Sequence, residues 1–366
     1  MKHLYWFLCC LVLYYACGSR PENPGPRVVN SLEIEHLMED SLLNVRALEV
    51  DKGGTGVFAT SRGQIGFIYV SKYLDLDYNN KETLECDILH ELNFNKDSIP
   101  NFRVVAKTTK RVFALSIGNP AVIFSPSEDQ LDYWPIVYQE HHEKVFYDSM
   151  AFWNDMEGIA IGDPTETCMS IIITRDGGNS WKKIPCDQLP AAVEGEAAFA
   201  ASDSNIAIVD DHTWVATGGK ASRILYSSDK GETWEVFDTP IIQGQATNGM
   251  YSIDFYDKDN GFAIGGDYTK AADSSANKIR TKDGGKTWEI VAENKSPGYR
   301  SCVQYVPNGN AQELVAVGFK GVDYSNDAGN TWKHLSDEGY YTIRFVDDST
   351  AYAAGRGRIS KLTFRN

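Results

Sequence analysis

Three arginines, Arg46, Arg223 and Arg300, together with Glu196 and Asp163, are the residues of this chain whose types suit chemistry on an acidic sugar. Three guanidinium groups can clamp one ligand carboxylate through charge-assisted hydrogen bonds. A Glu and an Asp beside them would supply proton transfer for glycoside hydrolysis, and the chain's 19 tyrosines offer a nucleophile. A wider group adds Arg103, Asp148, Asp267, Tyr268 and Arg356, with Arg62 nearby. Gathered around one opening, these charges would instead bind an anionic or zwitterionic ligand with no chemistry done on it.

Other chemistries find little support. His141 and His142 fall in a polar stretch and His212 follows Asp210 and Asp211, with no nucleophile turn near either and no calcium-loop spacing. No C-x-x-C pair, haem spacing or Gly-rich βαβ fingerprint occurs, so the expectation is no metal and no cofactor. With 35 Lys+Arg against 50 Asp+Glu the formal charge is −15, and there is no basic stripe. Nucleic acid, which is bound through clustered cations, is therefore not an expected partner.

What must position the charges is written in a repeat. Four segments read [ST]-x-D-x-G-x-[ST]-W, centred on Asp176, Gly178 and Trp181, on Asp229, Gly231 and Trp234, on Asp283, Gly285 and Trp288, and on Asp327, Gly329 and Trp332. Their spacing of roughly 50 residues matches one four-stranded propeller blade. The Asp can accept backbone N–H groups in a tight turn, the Gly can take the positive φ that closes a hairpin, and the Trp covers it. Such a motif builds a fold and is not an active site.

Alternating segments before each turn, such as 250–256 and 261–266, give the other strands of each unit. Two degenerate units begin at Asn44 and Asn101, the second with an eroded turn over 127–134. The last unit, from Tyr340, has three strands, and the leading segment 28–37 could supply the fourth and leave no edge exposed. The expected fold is all-β, a seven-bladed β-propeller closed by an N-terminal strand, with six blades as the runner-up. In that geometry the starts of the inner strands and the loops after second strands share one mouth. Arg46, Arg103, Asp148, Glu196, Arg300, Asp163, Arg223, Asp267, Tyr268 and Arg356 all belong to it.

The repeated turn resembles the Asp-box, or BNR repeat, of sialidases, sortilin-type receptors and photosystem II assembly-factor-like propellers. Beyond the turns, residues 151–164, 195–202, 217–219 with Arg223, 265–268 and 299–301 resemble an exported bacterial family described as photosystem II stability/assembly-factor-like, BNR-repeat or loosely "oxidoreductase". The resemblance runs from about Ser41 to the C-terminus and implies a seven-bladed propeller without an established activity. Sialidases carry a Phe/Tyr-Arg-Ile-Pro segment and usually six blades; here Phe102-Arg103 continues into Val104-Val105.

Met1-Lys2-His3 followed by the apolar run Leu4 to Ala16 has the layout of a signal peptide over 1–16. Cys17 follows a segment that resembles a bacterial lipobox, and 17–27 is a Pro/Gly-rich tether to one propeller domain, 28–366. The alternative is an ordinary signal peptide. Cys168 and Cys186 flank the first repeated turn and are a candidate disulfide pair, as export to an oxidising compartment allows. The combined expectation is an outer-membrane lipoprotein or periplasmic protein, touching the membrane through a lipid anchor only. It would be a monomer or part of a complex and would bind an envelope protein or glycan; the alternative is a sialidase-like glycoside hydrolase.

Overall fold

A computed structural model describes residues 27–74, 80–94, 98–127 and 129–366. Among these residues the strands pair into one seven-stranded, one six-stranded and four four-stranded antiparallel sheets, through which four-stranded units can be traced. The innermost strands are the second half of Ser31–Val50, then Asn101–Lys107, Tyr147–Phe152, Ile206–Val209, Asn248–Phe255, Cys302–Tyr305 and Thr342–Phe345. Each packs against the next, and the last packs against the first, so the units follow one another around a ring. The alternation of apolar residues explains the cores: Ile159, Ile161, Ile171 and Ile173 of the third unit meet Val215 and Leu225 of the fourth in one buried cluster between the two sheets.

Strand Ser31–Val50 belongs to two units at once. Its first half pairs antiparallel with Arg356–Arg365, from Ser31 opposite Arg365 to Glu39 opposite Arg358. Its second half pairs with Gly56–Thr60 as the inner strand of the first unit. The N-terminal segment thus supplies the fourth strand of the last unit, covering an edge that would otherwise expose unpaired backbone groups.

The four repeated turns share one hydrogen-bond pattern. Oδ1 of Asp176, Asp229, Asp283 and Asp327 accepts the N–H of the Ser or Thr four residues on, at 2.8–2.9 Å, and Oδ2 accepts that residue's hydroxyl at 2.6 Å. Burial works against ionisation of Asp283, but the donors around it outweigh burial and hold its pKa below the usual value. Gly178, Gly231, Gly285 and Gly329 have φ between 79° and 84°. They also have no room for a Cβ, which would run into Phe113, Ile173, Trp214 and Phe262 respectively. Each of these residues lies on the preceding unit. Each turn therefore docks its own unit on its neighbour, a role beyond closing a hairpin.

Candidate functional site

Between the third and fourth units the chain does not take a short turn. Residues 184–205 cross from the outside of the ring to its axis. Glu196–Ala197 pairs with Gly218–Gly219, and Gly218 pairs with Gly249 of the fifth unit's inner strand. The backbones approach so closely that a Cβ on Gly249, already at φ 128°, would overlap the Cα of Gly218. Beyond this point the segment is held from all around the ring. Arg103 Nη1 donates to the Ala200 carbonyl at 3.3 Å, Arg46 Nη1 to Ala201 at 3.2 Å, Thr342 Oγ1 to Ser202 at 3.0 Å and Arg344 Nη2 to Asp203 at 2.7 Å. Ser202 Oγ donates to the Ser301 carbonyl at 2.6 Å, while Asp203 accepts the N–H groups of Val105 and Met150 at 2.7 and 3.2 Å. Residues 200–204 thus bridge units that are distant in sequence, with a cavity on either side.

On the inner-strand-start side lies a bowl of about 510 Å³ whose floor is Ala197–Ala201. Arg46 and Arg103 stand on one wall, and the Arg46 guanidinium lies 3.9 Å over the ring of Tyr341. The lining also carries an aromatic cluster: Phe199 stacks on Tyr251 at 4.0 Å, Tyr299 meets Tyr251 edge-on at 4.8 Å, and Tyr268 and Phe319 extend the cluster to solvent, 49% and 40% exposed. The Nε groups of Arg46 and Arg103 are buried without a partner. Burial and the neighbouring Arg46 charge lower the Arg103 pKa. Asp163 completes the lining; its Oδ1 accepts the Ala198 N–H at 2.9 Å, and burial pushes its pKa up to about 6.

The structure gathers Arg46, Arg103, Asp163 and Tyr268 here and sends the other expected residues elsewhere. Glu196 and Arg223 pair with each other through two hydrogen bonds of 2.6 and 3.1 Å, and Glu196 also accepts from Thr217 Oγ1 and the Val193 N–H. Arg300 is buried and pairs with Asp323 at 2.5 Å, its Nη1 donating to the Tyr299 carbonyl. Asp267 accepts from the N–H and hydroxyl of Thr269 and so caps the short 3-10 turn Tyr268–Lys270. Arg356 and Arg62 are exposed. Three guanidiniums therefore do not converge: two of the three arginines of the sialic-acid clamp are spent on internal carboxylates. The aromatic cluster went unrecognised in the sequence except for Tyr268, because its rings come from different units. Tyr299 and Tyr341, each beside an inner-strand start, were the available signal.

Asp148 is fully buried near Arg103 and Asp163. The Ala200 amide approaches it, yet neither of its oxygens has a partner in hydrogen-bond geometry. Burial first, and then the Asp163 charge, raise its pKa well above the ordinary carboxylate value. A folded-state pKa above the unfolded one means that stability is fullest at acid pH and declines as pH rises past about 4. Asp148→Asn should therefore stabilise the protein by about 1–3 kcal/mol, the range for relieving a buried polar mismatch, with a larger gain at pH 8 than at pH 5. Urea denaturation at both pH values checks this; a variant less stable than wild type at pH 8 would show that Arg103 holds Asp148 ionised.

The opposite cavity, about 360 Å³, contains Glu49, Asp203, Asp254 and Arg344. Burial raises Asp203 to about 8 and Asp254 to about 7, though both accept backbone N–H groups. Cys168 and Cys186 are joined in a disulfide with a Cα separation of 5.4 Å. Cys186 lies in the 3-10 turn Cys186–Gln188 beyond the short strand Lys182–Lys183.

A ring of antiparallel four-stranded units, packed by their inner strands and open to solvent at a polar and aromatic mouth, defines a β-propeller. No family model matches the chain, and no curated protein does. Among solved structures it is similar to YCF48 bound to a D1 peptide, with 12% identity over 93% of this chain and 99% of that one and a TM-score of 0.62. It is similar to YCF48 from Cyanidioschyzon merolae, at 12% identity, 91% and 98% coverage and a TM-score of 0.56. Streptogramin B lyase gives 13% identity, 91% and 98% coverage and a TM-score of 0.62. At such identities the likeness is one of fold.

Proposed function

We propose that this propeller is a binding or assembly factor whose bowl holds an extended segment of a partner protein. The carrying observation is the bowl itself, whose lining brings together two guanidiniums, solvent-reaching aromatic rings and the small side chains of Ala197, Ala198, Ala200 and Ala201. Arginine and aromatic residues dominate binding energy at protein interfaces because they combine large contact area with directed polar groups. That one structure of the same fold, YCF48, was solved with a D1 peptide supports a protein partner over a glycan. The internal pairing of Glu196, Arg223 and Arg300 weighs in the same direction, since these are the groups a sialidase would need free.

The reading includes export and a lipid on Cys17, a residue outside the described part of the chain, as are the signal peptide and most of the tether. Its support is the apolar run before Cys17, and Cys17→Ala should move the protein from the membrane to the soluble fraction. For the bowl, the test is Arg46→Ala combined with Arg103→Ala. Truncation of interface arginines costs about 2–4 kcal/mol at hot spots, a loss of roughly 30- to 1000-fold in affinity. A partner recovered with the wild type from an envelope fraction should be lost with the double variant at unchanged circular dichroism. Equal recovery would remove the bowl from the function.

A further inference from the structure

The segment that floors the bowl is fastened in two different ways along its length. Its inner half is held from many sides, by the Glu196–Arg223 pair and by Arg46, Arg103, Thr342 and Arg344. Its outer half has fewer anchors. The 3-10 turn Cys186–Gln188 buries none of its residues, and Val193 is 44% exposed. Apart from the disulfide, that half is fixed by Leu189, buried in the cluster between the third and fourth units, by the Ala192 N–H donating to the Thr167 carbonyl at 2.8 Å, a bridge between Cys168 and Ala191, Arg223 Nη2 donating to the Ala191 carbonyl at 2.9 Å, and the Val193 N–H donating to Glu196 Oε2 at 2.9 Å. Two of these contacts are made at residues 167–168, beside the disulfide. The disulfide also lines a surface cavity of about 210 Å³, with the Cys186 side half-exposed and Cys168 buried.

We propose that residues 186–205 form a thiol-controlled strap, in which reduction of Cys168–Cys186 by a dithiol releases the outer half and loosens the floor of the bowl. The thiolate of the reductant attacks Sγ of Cys186, the more accessible sulfur, forming a mixed disulfide while the S–S bond breaks and Cys168 leaves as a thiolate. The second thiolate of the reductant then attacks its own sulfur in the mixed disulfide and expels Cys186. Two electrons pass from the dithiol to the cysteine pair, the reductant departs as a disulfide, and Cys168 and Cys186 take up protons as thiols. The ring does not depend on this bond, since its closure lies in the pairing of Ser31–Val50 with Arg356–Arg365. The change is therefore local. Its consequence for partner binding rests on the reading of the bowl above, but the motion of the strap does not.

The test is amide hydrogen exchange on the whole protein, oxidised and then treated with dithiothreitol, with Cys168→Ser/Cys186→Ser measured without reductant. Closing a loop of this size restrains local opening by roughly two orders of magnitude. Exchange over 187–195 should accelerate by about 100-fold, and over 197–201 by a smaller factor, in both the reduced protein and the double variant. Exchange over 45–60 and 302–325 should stay unchanged. Equal protection of the strap with and without the bond overturns the proposal, and so does uniform acceleration around the ring, which would make the disulfide a global staple. Neither result depends on whether the bowl binds anything.

Discussion

Arg344→Ala should destabilise the protein by about 3–5 kcal/mol, the summed cost of leaving several acceptors of its buried guanidinium without a donor. This one side chain joins two units and the strap. Its Nε donates to Glu49 of the first unit at 2.8 Å, Nη1 to Thr342 and the Ile343 carbonyl of its own unit, and Nη2 to the Asp203 carbonyl of the strap. Desolvation already raises the Glu49 pKa in spite of Arg344, so removal of the guanidinium should raise it further and leave the Asp203 carbonyl without its donor. Domains of this kind have a total stability of about 5–15 kcal/mol, so the loss is large. Chemical denaturation measures it, and a change below about 1 kcal/mol, the scale of an exposed pair, would show that Arg344 is dispensable to the ring.

Glu196→Ala should have an effect of similar size, about 3–5 kcal/mol, because it strands Arg223 in a site only 14% exposed and removes the acceptor of Thr217 and the Val193 N–H. Glu196→Gln should cost less. The amide oxygen can still accept from one donor, while its NH2 group faces Arg223 or the Val193 amide without an acceptor. This order, Ala worse than Gln, with both variants read out as lowered stability at pH 7, is the signature of an internal clamp. A catalytic carboxylate would behave otherwise: Gln would retain stability and lose turnover on a fluorogenic sialoside.

The repeated turns were legible in the sequence because their physics is local. An Asp four residues before a Ser/Thr, with a Gly between, closes on itself wherever it stands, and Asp176, Asp229, Asp283 and Asp327 form the same bonds in four units. The strand 28–37 was legible by subtraction, as the last unit lacked an outer strand. The strap was not. Residues 195–202 stood out as a resemblance and through Glu196, but nothing in an alanine-rich run says that it reaches the axis, since its partners lie up to 155 residues away, as with Arg46 and Ala201. Glu196, expected at an inner-strand start, lies on the strap instead, and charge pairing was not legible either. Arg300 meets Asp323, which lies two strands away in its unit, and Arg223 meets Glu196 of the strap, pairings that only the three-dimensional arrangement defines. Likewise, the glycines of the turns read as φ requirements, while their contact with the preceding unit needed the packed ring.

Site-specific photocrosslinking tests the central claim, that the bowl holds a partner segment, most directly. A photoreactive residue at Phe319, on the aromatic rim and 40% exposed, is compared in cells with one at Tyr133, 63% exposed and outside the bowl lining. The account predicts a discrete protein adduct from position 319 that disappears when Arg46 and Arg103 are replaced by Ala, and none from position 133. An adduct that forms equally from both positions, or one from position 319 that survives loss of both arginines, would contradict it.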